Sequence, residues 1–141
     1  VIGFELVGGP AVEMLDRIES RLQNTRPVMA QLVDDFHDLE QDAFASAGFG
    51  SWAPDSAETV AYKGSSRVLV DTGALMSSLV HGGALSLSDD EVTFGTSVRA
   101  APYLKRGARG APPRDPIPDP PPERVELWAE QIARYVAGGA E

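Results

Sequence analysis

The chain has 141 residues, 43% of them apolar, enough for one compact domain around one core. It has no Cys, which excludes a disulfide scaffold, a cysteine nucleophile and a thiolate metal site. The net charge of −9 is uneven: residues 1–60 carry 11 acidic and 3 basic groups, residues 61–141 carry 10 and 9, and so acidic a first half argues against broad wrapping of nucleic acid.

In chain order, residues 1–10 read as a short strand or arm. Ile2, Phe4 and Leu6 alternate with Gly3 and Glu5 before the turn signal Gly8-Gly9-Pro10. The opening residues lack a basic segment and a long apolar one, so no signal peptide is expected. No window of about 18 apolar residues exists either, so no membrane span is expected.

Residues 11–47 read as helical. Val12, Leu15, Ile18 and Leu22 form one amphipathic stripe, and Val28, Leu32, Phe36, Leu39 and Ala43 a second. Between them, Asn24-Thr25-Arg26-Pro27 either separates two helices, with Thr25 as a cap, or kinks one. Asp34, Asp35, Asp38, Glu40 and Asp42 are read as a solvated acidic face, and His37 as a solvated residue on that side. Gly48 is a stop signal.

Residues 48–107 read as mixed β with short helix. Gly48-Phe49-Gly50-Ser51-Trp52-Ala53-Pro54 is a loop, with Trp52 expected to anchor it on the core. A helical turn is expected over residues 55–63, with Ser56 as a possible cap. Val68-Leu69-Val70 has the composition of a buried strand, Asp71-Thr72-Gly73 is a turn, and Leu75, Met76 and Leu79 suit one face of a short helix. Two alternating runs, residues 84–88 and 91–96, flank Asp89-Asp90 and predict a β-hairpin.

Residues 108–122 read as a Pro-rich arm: seven prolines fall within residues 112–122, a composition that favours extended polyproline backbone and reaches outward. Residues 123–137 predict a helix, with Val125, Trp128, Ile132 and Tyr135 on its apolar stripe and Trp128 as a second core anchor. The whole predicts an α+β fold: N-terminal helices packed on a small antiparallel β-sheet, an extended arm and a C-terminal helix.

Little of this suggests catalysis. The two histidines, His37 and His81, have no metal-ligand spacing, and no Ser/His/Asp set is suggestive. No catalytic residue, metal or cofactor is expected. One motif cuts against this: Asp71-Thr72-Gly73 matches the catalytic loop of a homodimeric aspartic protease, in which two carboxylates share a proton. More than forty helical-looking residues precede it here, and the second protease signal, an apolar pair before Gly-Arg-Asn or Gly-Arg-Asp, is absent. Arg99, Lys105, Arg106, Arg109 and Arg114 follow one another with no acid between them. They are either a solvated loop or a contact strip, for the acidic half of another copy or for DNA in a lumen.

Several segments fall in the order of a known family. Gly50-Ser51-Trp52-Ala53-Pro54 is followed by Thr59 and Lys63, then by Val68-Leu69-Val70-Asp71-Thr72-Gly73-Ala74-Leu75-Met76-Ser77-Ser78-Leu79, Val92-Thr93-Phe94-Gly95-Thr96, residues 101–107 and Ala111-Pro112-Pro113-Arg114. In this the chain resembles, over residues 11–117, the tailed-phage head–tail connector and tail-completion proteins of the HK97 gp10-like and Mu G-like (virion morphogenesis) type. Lys105-Arg106 replace a His of the pattern, and Asp115 stands where a Pro would follow Arg114.

The resemblance implies a non-catalytic virion protein. It would form a ring of its own copies, a hexamer in many such proteins, at the head–tail junction or tail end. Its partners would be neighbouring neck proteins and the tail tube or terminator, with DNA passing through the lumen and no membrane involved. A tail terminator capping the tail tube is the alternative within that class. Thr72, Gly73 and Leu75 would form a structural turn, with Thr72 capping the helix. Arg99, Lys105, Arg106, Arg109 and Arg114 would face a subunit or partner.

Overall fold

A computed structural model describes residues 9–82, 84–108 and 110–138. The strand or arm expected over residues 1–10 therefore lies almost wholly outside the described residues, as does Arg109. Among the described residues there are six helices and one two-stranded antiparallel sheet, an α+β arrangement.

The first third is two helices, α1 (Gly9–Gln23) and α2 (Arg26–Ala45). Pro27 sits in the first turn of α2, where a missing N–H costs nothing. Thr25 occupies the cap position, but its side chain does not cap. Its hydroxyl donates instead to the Asp89 carbonyl at 2.5 Å, and its N–H donates to the same oxygen at 2.7 Å. That clamp ties the α1–α2 corner to the tip of the hairpin.

The hairpin is β1 (Ala84–Leu87) and β2 (Val92–Phe94), paired Ser86 to Thr93 and Leu87 to Val92, with a bulge between Ala84 and Ser86. Its Gly-free turn is closed by the Ser88 N–H on the Glu91 carbonyl and by the Ser88 hydroxyl accepting the Glu91 N–H. Helix α2 packs on this hairpin, with the Phe36 and Phe94 rings stacked at 4.0 Å. The core cluster adds Phe44, Trp52, Val68, Leu75, Leu79 and Ala101.

After α2 the chain makes a tight left-handed turn. Ala47, Gly48, Phe49 and Gly50 all have positive φ, at 52°, 68°, 56° and 83°. Such backbone costs a non-glycine residue about 1–2 kcal/mol. Here it is held by the Gly48 N–H on Ala43 and the Trp52 N–H on Ala47, at 2.7 and 3.0 Å. Gly48 is required twice over, since a Cβ on it would stand 2.5 Å from the Trp52 indole nitrogen.

Helix α3 (Ala57–Lys63) starts on Ser56, whose hydroxyl accepts the Thr59 N–H at 3.2 Å. Residues 68–70, expected as a strand, instead form a turn in which Leu69 has a φ of 61°. Short apolar runs do not distinguish a strand from a buried turn, and Val68 is buried against the core without a ladder. Helix α4 (Ala74–Val80) follows and packs on α2, then α5 (Ala101–Arg106) and α6 (Pro122–Ala137) complete the fold.

Three further expectations are corrected. The Pro-rich segment is extended but does not reach outward: Arg114, Pro116 and Pro118 are buried, and Ile117 packs on the core. Glu40 is not part of a solvated face; it is fully buried, between Phe36 and Phe44 on the core side of α2. Trp128 is only half-buried, and no residue of α6 is fully buried, so it is no core anchor. Helix α6 lies along α2, tied at one end by Arg124 to Asp42 at 2.6 Å and at the other by the Tyr135 hydroxyl to the Asn24 carbonyl at 2.6 Å.

Candidate functional site

The segments singled out in the sequence meet in space. The Trp52 indole N–H donates to the Asp115 carbonyl at 2.8 Å, across 63 residues. The Arg114 Nε donates to the Ala53 carbonyl at 2.7 Å and its Nη2 to the Pro54 carbonyl at 2.9 Å. The loop after α2 and the Pro-rich segment are thus locked to each other by Trp52 one way and by Arg114 the other. Trp52 is buried, as expected of an anchor, with its ring edge-on to Phe44 at 5.1 Å.

A buried ion group completes this knot. Lys63 at the end of α3 pairs with Asp55 at 2.5 Å, and Arg114 approaches Asp55 at 3.6 Å. All three side chains are under a tenth exposed. Lys63 also donates to the Arg67 carbonyl at 2.7 Å. Charges so buried persist only when paired and hydrogen-bonded, and these are. Arg114 is therefore an internal fastener, not a side chain free to face a partner. Asp55 was missed in the sequence: it precedes a helix cap, where acids are common, and nothing local marks it as the carboxylate between Lys63 and Arg114.

Beside the knot is a half-open cavity of about 750 Å³. Asp55, Lys63 and Arg114 line it together with the Asp71-Thr72-Gly73 turn and Pro112. In that turn Gly73, with a φ of 84°, is the cap residue of α4. This left-handed conformation suits glycine. Thr72 stands one residue earlier than expected, and its hydroxyl accepts the Ala74 N–H at 3.3 Å. Leu75 is buried in the core. Asp71 is exposed, and no second carboxylate is hydrogen-bonded to it among the described residues. One more pair joins distant motifs: the Ser78 and Thr96 hydroxyls are 2.7 Å apart.

Two exposed basic residues, Lys105 and Arg106, lie on α5 with Arg99 just before it, while Arg17, Arg26, Arg67 and Arg134 are exposed elsewhere. Ala101 is buried and Leu104 packs on the core, which seats this helix firmly. Arg99, Lys105 and Arg106 remain exposed. Tyr103 projects 59% exposed, with the Arg106 guanidinium 5.4 Å over its ring. Lys105 makes a solvent-screened pair with Asp115 at 3.4 Å. The sequence reading named these cations but missed Tyr103, which an aromatic next to a basic pair signals.

Glu40 is the remaining unusual group. Both of its carboxyl oxygens are buried without a hydrogen-bond partner. Burial, and secondarily the Asp115 carboxylate, push it up to about 8 from an ordinary 4.5. Its signal was its spacing: Phe36, Glu40 and Phe44 fall four residues apart on one face of α2.

Among the described residues no group of three or more His, Cys, Asp or Glu is placed to hold a metal ion, and no helix is long and apolar enough to cross a membrane. In comparison with known proteins, no family model, no curated protein and no solved structure matches the chain.

Proposed function

We propose that this chain is a non-catalytic virion protein of a tailed phage. It works at the head–tail junction or tail end, as a ring of its own copies that joins or completes the tail around the DNA channel. The observation that carries this reading is the ordered set of motifs and the way their residues fasten one another. Trp52, Lys63, Ser78, Thr96 and Arg114 come from separate motifs, and each is engaged in a specific contact inside one folded unit. A motif set that builds a scaffold has this character; Asp71, exposed on the half-open cavity, is the group on which the protease alternative would rest.

The uneven charge supports self-association: residues 1–60 carry 11 acidic against 3 basic groups, and residues 61–141 carry 10 against 9. Rings built from one subunit use head-to-tail contacts between different patches. Within the class, a connector and a tail terminator share these properties.

The test is the mass of the purified chain, alone and with tail proteins. A closed oligomer, or a complex with the tail end, is expected. A strict monomer that never enters virions contradicts the reading. Asp71→Asn separates it from the protease alternative: assembly is unchanged in a connector, whereas peptide cleavage at acidic pH that this change abolishes would overturn the reading.

A further inference from the structure

The buried ion group holds two cations and one carboxylate. Lys63 sits 2.5 Å from one oxygen of Asp55 and Arg114 sits 3.6 Å from the other, with all three side chains under a tenth exposed. Each cation is partnered, yet the two share a single negative charge. Buried positive charge in excess of its counter-charge is costly unless a further anion reaches it.

The donors are not all spent. Arg114 uses Nε on the Ala53 carbonyl and Nη2 on the Pro54 carbonyl, and its Nη1 has no hydrogen-bond partner among the described residues. That nitrogen is not sealed from solvent. Lys63 uses two of its three N–H groups, on Asp55 and on the Arg67 carbonyl.

Both cations, with Asp55, line the half-open cavity of about 750 Å³, the size of a small-molecule site. Its walls also include half-buried Leu69, Val70, Val98 and Leu104. Asp71 lines it too, but is exposed and forms no ion pair among the described residues, so water screens it. A second carboxylate at the cavity disfavours a ligand with more than one negative charge.

We propose that this cavity binds a small monocarboxylate with an apolar body. The ligand's carboxylate lies against Arg114 Nη1 and Lys63 Nζ in charge-assisted hydrogen bonds, and its body lies on Leu69, Val98 and Leu104. The buried group then holds equal numbers of positive and negative charges. Binding here stands apart from assembly, so a chain that forms no ring can still pass the test.

The test is calorimetric titration of the full native chain with hexanoate, with hexanol and with inorganic phosphate. Hexanoate should bind at least about tenfold more tightly than hexanol, which has the apolar body without the charge, and than phosphate, which has the charge without the body. Equal binding of hexanol overturns the proposal by leaving the cations no part. Equal or tighter binding of phosphate overturns it by making the site a general anion trap. No binding of hexanoate up to about 10 mM overturns it outright. An acetylated and amidated acidic tripeptide that binds where hexanoate does not also overturns it, by giving the cavity to a protein segment.

Lys63→Met keeps the aliphatic stem and leaves one cation to one carboxylate. It should weaken hexanoate about tenfold and leave hexanol unchanged, and unchanged hexanoate binding overturns the proposal. The native-chain titrations decide the matter whether or not this variant folds.

Discussion

Two regions of this molecule are built on opposite terms. Around Trp52 the chain is closed: the indole N–H, the Arg114 guanidinium, Lys63 and Asp55 all have partners, and all four side chains are buried. Along α1 and α6 the chain is open: both helices are amphipathic, neither buries a residue fully, and the Trp128 indole nitrogen and Gln131 Oε1 are buried without partners. The contrast separates what holds the fold from what is left over after folding. Exposed apolar side chains add nothing to the stability of one copy; they add to the stability of whatever covers them.

The comparison breaks most easily at the knot. Asp55→Ala leaves Lys63 and Arg114 as buried cations without their carboxylate, and should cost about 3–5 kcal/mol of unfolding free energy. Urea unfolding followed by tryptophan fluorescence measures this. A loss below about 1 kcal/mol would mean that the group is solvated and the knot is not closed. Gly48→Ala comes next, at about 2–4 kcal/mol, because the new Cβ meets the Trp52 ring and the φ of 68° is unfavourable for alanine.

Glu40 gives an effect with a distinctive pH dependence. Its carboxyl holds its proton more tightly when folded, at about 8, than the ordinary 4.5. Because the folded value is raised, its contribution favours folding most below about 4.5, weakens as pH rises from there to about 8, and is level above that. Glu40→Gln should remove this slope. The variant should exceed the native chain at pH near 8, and should lose that advantage in acid. Denaturation at the two pH values measures it; parallel curves would show that the carboxyl is solvated.

The open region predicts the smallest effect on a single copy. Leu15→Ser and Leu22→Ser should change its stability by no more than about 0.5 kcal/mol. A large loss would mean that these side chains are already covered within one chain, and would remove the contrast between the regions.

Much of the fold was legible because period and composition carried it. The stripes at Val12 to Leu22 and Val28 to Ala43 became α1 and α2, Asn24 and Thr25 marked the break, and the alternation about Asp89-Asp90 became the hairpin. Residues 68–70 were misread because an apolar run carries no period, and Leu69 entered a left-handed turn. The Pro-rich segment was misread because composition fixes an extended backbone and says nothing of where it docks. What docks it is Arg114 on two carbonyls of residues sixty positions away, and that is tertiary information. Glu40 was lost by grouping it with the exposed acids around it, although its spacing from Phe36 and Phe44 placed it on the buried face. At the site, the cations of α5 were legible and Tyr103 was passed over, while Asp55 had no local signature at all.

The central claim is that the chain joins or completes a phage tail, and electron microscopy of particles made without it tests that most directly. The account predicts unjoined heads and tails, or tails of uncontrolled ending, with normal particles restored when the purified chain is added back. Intact, joined and infectious particles formed in its absence would contradict it.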